Sequence, residues 1–155
     1  MLMAIDPGTT ESAYVIYDRG KFIDFDKVVN EELLTRLDAY VGPVVIEMVA
    51  CYGMPVGAEV FETCVWIGRM IEHAGVLNVD RMKRNEVKMA LCHRTKGVND
   101  AVIRQALIDM FGPSKEIAIG KKKSPGPLFG MSGDVWQAAA LAVAFDLKTV
   151  AQELR

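Results

Sequence analysis

The stretch Met3-Ala4-Ile5-Asp6-Pro7-Gly8-Thr9-Thr10, followed closely by Ser12-Ala13-Tyr14-Val15-Ile16, sets the reading of the whole chain. An apolar run ends in an acid, Pro-Gly turns the chain, and a second apolar run begins. That is the pattern of two strands joined by a tight connection that carries a carboxylate. Strands are predicted over 2–5, 12–17 and 21–29, the last two linked by Asp18-Arg19-Gly20 with glycine where positive φ is needed. Asn30 is placed to cap a helix over 31–40, in which Leu33, Leu34 and Leu37 share a face. Gly42-Pro43 ends that helix. Val44-Val45-Ile46 then has the continuous apolar character of a strand covered on both faces.

Further along, 49–57 is a Gly-, Pro- and Met-rich loop, 58 to about 73 a long helix closed by Gly75, and 76–79 a further buried strand. Helical patterns cover 85–91 and 99–111, the second capped by Asn99 and closed by Gly112-Pro113. Residues 115–130 have no clear period, and a last helix begins at about Asp134. The order β-β-β-α-β-α-β-α-α-α predicts an α/β domain, with three antiparallel strands and then strands joined through helices. No repeat or linker divides the 155 residues, so a single domain over 1–155 is expected.

Composition narrows the function classes. With 51% hydrophobic and 25% charged residues the chain is far from a disordered one. No apolar run approaches the ~20 residues that span a bilayer, and no membrane partner is expected. The first residues lack the basic segment of a signal peptide, and three cysteines are too few and too odd for a disulfide scaffold, so a cytoplasmic protein is expected. The net charge of −2 hides an asymmetry: residues 1–80 carry 13 acids and 5 bases, residues 81–123 carry 4 acids and 11 bases. Such a basic segment is either a solvated surface or a face that meets a polyanion.

Three acids stand at element ends: Asp6 after the first strand, Glu47 after Val44-Val45-Ile46, and Asp134 at the start of the last helix. Neighbouring strands lie about 4.8 Å apart, so acids on two of them can share a metal ion, with a third supplied by a helix beside the strand ends. Hard cations favour such oxygen-rich clusters, and a pair of them about 3.5–4 Å apart is a common phosphodiester-cleaving device. Each acid also has a plain structural alternative. Asp6 suits a turn and Asp134 a helix N-cap, whereas a partly buried Glu47 is costly without a partner.

Taken together, the motifs resemble RuvC-type Holliday junction resolvases of the RNase H-like superfamily. Residues 3–10 and 12–16 resemble the family's opening, Val44-Val45-Ile46-Glu47 its second acidic motif, and Val87-Lys88-Met89-Ala90-Leu91 with Arg94-Thr95-Lys96 its basic segment. Gly133-Asp134-Val135-Trp136-Gln137-Ala138-Ala139-Ala140-Leu141-Ala142 is similar to its C-terminal acidic helix, and Tyr52-Gly53-Met54-Pro55-Val56-Gly57 looks most like the small phage-encoded branch. The resemblance implies an RNase H-like mixed five-stranded sheet, three antiparallel strands then two parallel, flanked by helices. It further implies two Mg²⁺ or Mn²⁺ ions on Asp6, Glu47 and Asp134, and a homodimer that nicks opposing strands of branched DNA. Gln137 stands where the family usually offers a second helix acid three residues on, so it would serve as a weaker, uncharged metal ligand.

On this reading the basic residues Lys88, Arg94, Lys96, Lys121, Lys122 and Lys123 are candidate phosphate contacts. Tyr52 and Met54 are candidate wedges at a branch point, or else residues packed under their loop. Phe61, Trp66, Met70 and His73 share helical spacing and suit a core or a dimer interface. Cys92-His93 lacks the second pair a zinc site needs. Competing readings are a non-catalytic junction-binding dimer, kept open by Gln137, and a relative acting on RNA or other branched DNA. An actin- or hexokinase-like ATPase is disfavoured by length, because that class needs two such domains.

Overall fold

The computed structural model describes residues 1–154. Its centre is a five-stranded sheet of β1 (Leu2–Asp6), β2 (Glu11–Asp18), β3 (Lys21–Val29), β4 (Val44–Met48) and β5 (Val79–Lys83), in the spatial order β3-β2-β1-β4-β5. β1–β2 and β2–β3 pair antiparallel, whereas β1–β4 and β4–β5 pair parallel. The parallel pairs follow from their crossovers, α1 (Asn30–Ala39) leading into β4 and α2 (Ala58–Ala74) leading toward β5. The mixed sheet expected from the element order is therefore the one observed.

Alternation along the strands divides the core in two. Met3, Ile5, Tyr14, Val44 and Ile46 pack with α1 and α2 on one face. Leu2, Ala4, Ala13, Val15 and Val45 pack on the other against α6 (Val135–Glu153). α6 carries Ala138, Ala139, Ala140, Ala142 and Ala144, all fully buried, so the helix backbone lies close against the strands. The remaining helices, α3 (Arg84–Cys92), α4 (Asp100–Phe111) and the short α5 (Lys115–Ala118), gather beside α6.

Two local expectations are corrected. Residues 76–79 are not a buried strand: a 3₁₀ turn covers Val76–Asn78, Leu77 is fully exposed, and the strand begins at Val79. β5 is the sheet's edge, with no further strand to cover it, so its side chains are mostly exposed apart from Met82. Asn30 does not cap α1; it is the helix's first residue and wholly buried. Its amide closes a ring instead. Gly8 N–H donates to Ser12 Oγ at 3.1 Å, Ser12 Oγ donates to Asn30 Oδ1 at 2.6 Å, and Asn30 Nδ2 donates to the Gly8 carbonyl at 3.0 Å. Residues 115–130 are ordered despite lacking a period. α5 and a hairpin of β6 (Gly120–Lys121) and β7 (Ser124–Pro125) are anchored by the fully buried Ala118 and Leu128.

Candidate functional site

One row of residues crosses the sheet where β1 ends. Asp6 is paired with Ala13 and Ala13 with Lys27, while the parallel register Ile5↔Ile46, carried one residue on, sets Glu47 beside Asp6. Residues directly opposite on neighbouring strands face the same way. That face is the one under α6, because Ala4, Ala13 and Val45 are buried there. Lys27, Asp6 and Glu47 thus lie on the face covered by α6, whose first turn follows Asp134 and contains Gln137.

The chain's exit from Asp6 is rigid. The Gly8–Ser12–Asn30 ring ties the 7–10 connection to the start of α1, and the Asn30 N–H donates to the Thr10 carbonyl at 2.9 Å. A Cβ on Gly8 would lie 2.3 Å from the Glu11 carbonyl oxygen, so only glycine permits this close turn.

Electrostatics make the row unusual. Burial, then the charges of Glu47 and Asp134, push the Asp6 carboxyl up to about 7. Burial also raises Glu47, opposed by the neighbouring Arg84. Two protein cations partly balance the acids. Lys27 Nζ lies 2.8 Å from Asp134 Oδ2 and 3.9 Å from Glu11, and the hydrogen bond to Asp134 raises its pKa. Arg84, the first residue of α3, lies 3.5 Å from Glu47 Oε2 and also pairs with Asp100, the first residue of α4. Asp134 is not a capping residue, since its side chain makes no bond to the α6 amides and pairs with Lys27 instead.

Among the described residues no three His, Cys, Asp or Glu side chains come together closely enough to hold a metal ion as they stand. With Lys27 on Asp134 and Arg84 on Glu47, these two carboxylates are turned to protein cations. The donor set itself suits a hard divalent cation: all oxygens, with Asp6 short of compensating positive charge. Gln137 Oε1 adds to that fit, being buried without a hydrogen-bond partner.

The predicted DNA-contact residues separate. Lys88 lies one turn after Arg84 on α3, and its charge acts on Glu47. Arg94 and Lys96 occupy the turn after α3, where the Arg94 guanidinium donates to the Lys96 carbonyl; nine helical residues carry that turn about 13 Å from Arg84. Lys121, Lys122 and Lys123 are exposed on the β6–β7 hairpin. Tyr52 is half exposed with its hydroxyl accepting from the Asn85 N–H, so the 49–57 loop is tied to the first turn of α3, and Met54 is largely exposed. Trp66 and Met70 are core residues, Phe61 is exposed, and His73 pairs with Asp38 at 2.8 Å. His93 closes α3 in a left-handed conformation.

Sequence reasoning missed Lys27, Arg84 and Asp100. Lys27 carried one usable signal, since the antiparallel register through Ala13 brings it into line with Asp6. Arg84 and Asp100 meet only because two helix starts converge, which no local pattern announces.

Nearly the whole chain superposes on solved structures of known proteins. Thermus thermophilus RuvC matches with a TM-score of 0.69 at 14% identity, covering 97% of this chain and 96% of that one. The fold is that of RuvC. T. thermophilus RuvC in complex with a Holliday junction substrate matches with a TM-score of 0.66 at 14% identity, over 96% of this chain and 93% of that one. The Fowlpox virus resolvase in complex with Holliday junction DNA matches at 0.53 and 14% identity, over 96% and 99%. No family model matches this chain, and no curated protein matches it in sequence. The RuvC fold is thus visible in the arrangement of the elements at only 14% sequence identity to these structures. No described helix is long and apolar enough to cross a membrane.

Proposed function

We propose that the protein is a divalent-metal-dependent endonuclease that cuts branched DNA, resolving four-way junctions by paired nicks. The observation that carries this reading is the row of Asp6 and Glu47 on adjacent parallel strands, with Asp134 near enough for its charge to act on Asp6 and Gln137 in the first turn of α6, within a RuvC fold. Asp6, Glu47 and Asp134 would hold the cation, with Gln137 Oε1 as an uncharged fourth donor. Bound Mg²⁺ or Mn²⁺, one ion or two, would supply Lewis-acid activation of water and of the phosphodiester. The chain's own contribution is positional. The Gly8–Ser12–Asn30 ring fixes the exit from Asp6, the start of α6 brings Asp134 near it, and Lys88 adds positive charge beside Glu47 for an incoming phosphate.

The test is cleavage of labelled four-way junction, forked and linear duplex DNA with Mg²⁺, Mn²⁺ or EDTA. Symmetrical junction nicks that require metal support the proposal. Tight junction binding without cleavage under either metal favours a junction-binding protein, the reading that Gln137 and the ion-paired carboxylates keep specific.

Paired nicks need two sites, and α2 offers a surface for a second copy. Phe61 and Val65 lie one turn apart on its outer side, 63% and 57% exposed, and a Cβ on nearby Gly68 would meet nothing within 4 Å. A self-complementary contact between two such stripes is the usual way a twofold dimer forms. Sedimentation should show a dimer for the parent and a monomer for Phe61→Asp; an unchanged mass for that variant sinks the α2 interface.

A further inference from the structure

Beside the carboxylate row lies a groove of about 710 Å³, walled by α4, by Lys115 of α5, and by the residues that lead into α6. Asp134 and Gln137 line it but Asp6 and Glu47 do not, so it adjoins the site without forming its floor. Its wall carries a prepared cation. Trp136 is buried, and its indole N–H donates to the Met131 carbonyl at 3.0 Å, which fixes the plane of the ring. The Arg104 guanidinium lies over that ring, 4.6 Å from its centroid. A guanidinium held this way keeps its N–H groups available to a phosphate while losing little freedom on binding.

Arg104 makes no ion pair among the described residues, and neither does Lys115. For Arg104 the reason is visible. Asp100, four residues earlier on the same helix, is the natural partner, but it is engaged by Arg84. The same arginine that balances Glu47 therefore leaves Arg104 uncompensated at the groove. Two unpaired cations in a groove that also reaches Asp134 offer a path for an anionic strand.

We propose that this groove seats the phosphate backbone of the DNA strand next to the cut, with Arg104 and Lys115 as its phosphate contacts. The proposal rests on the nuclease reading above. Arg104 is a positioning residue, and its effect belongs in affinity and salt dependence more than in the chemical step.

The experiment measures anisotropy of a labelled four-way junction in EDTA across a salt series, with single-turnover cleavage at saturating protein in Mg²⁺. The proteins are the parent, Arg104→Ala, Arg104→Lys and Lys115→Ala, with thermal melts to establish that each is folded. Arg104→Ala is expected to weaken binding about three- to tenfold and to lower the log–log salt slope by about one. Arg104→Lys keeps the slope but recovers only part of the affinity, because an ammonium does not lie flat on Trp136. Cleavage at saturation should fall less than affinity does. A parent that binds and cuts, beside a folded Arg104→Ala with the parent's affinity and slope, overturns the groove and leaves the nuclease standing. A parent that binds none of the DNA overturns both.

Discussion

Asp6→Asn is expected to abolish junction cleavage while leaving junction binding at least as tight as in the parent. Asparagine keeps the size of the side chain but removes its charge, and with it the anionic ligand that the proposed function assigns to Asp6 beside Glu47. A metal supplies several kcal/mol of charge stabilisation to phosphoryl transfer. At about 1.4 kcal/mol per tenfold, the loss is on the order of a thousandfold or more in single-turnover rate. Binding moves the other way because a phosphate approaching the row meets one negative charge fewer. Cleavage by the variant at the parental rate would remove Asp6 from the site, and binding lost in parallel would mean that the substitution had damaged the fold.

The same carboxyl makes stability depend on pH in the metal-free protein. Asp6 has an ordinary value of 3.8 and is pushed up to about 7 in the folded state. The folded protein therefore holds a proton that the unfolded chain has released over most of that interval, and stability falls as pH rises from about 4 to 7. Burial of Glu47 adds to the fall in the same direction. For Asp6 alone the change is on the order of 2–4 kcal/mol. Denaturant melts in EDTA should show the decline in the parent and a much flatter profile in Asp6→Asn, which is then the more stable protein at pH 8. Mg²⁺ or Mn²⁺ should recover stability at pH 8 and add little at pH 5, where Asp6 retains its proton. Identical pH profiles for parent and variant would show that Asp6 is not held at a cost.

Much of this arrangement is legible in the sequence because it rests on short-range patterns. The Ile5-Asp6-Pro7-Gly8 turn, the apolar run before Glu47 and the alanine-rich helix after Asp134 each announce an element and an acid at its end. Register then brings Asp6 and Glu47 together with no further information, since adjacent parallel strands leave little choice. What stayed hidden depends on convergence of distant segments. Asn30 has the composition of a cap, yet its amide is spent on Ser12 and Gly8 because β2 and the 7–10 connection pack against it. Residues 76–79 have the apolarity of a covered strand, but the sheet ends there and nothing covers it. Lys27 and Arg84 are set against Asp134 and Glu47 only by the fold.

The burial of α6 against β1 and β2 has a consequence for how the protein comes into being. The acids that face one another are Asp6, near one end of the chain, and Asp134, near the other. Contacts of such wide sequence separation form late, because closing the long loop between them costs entropy before any packing is gained. An emerging chain that has completed β1 to β5 holds Asp6 and Glu47 without their facing helix. Docking of the alanine-rich helix is thus the step that brings Asp134 to Asp6.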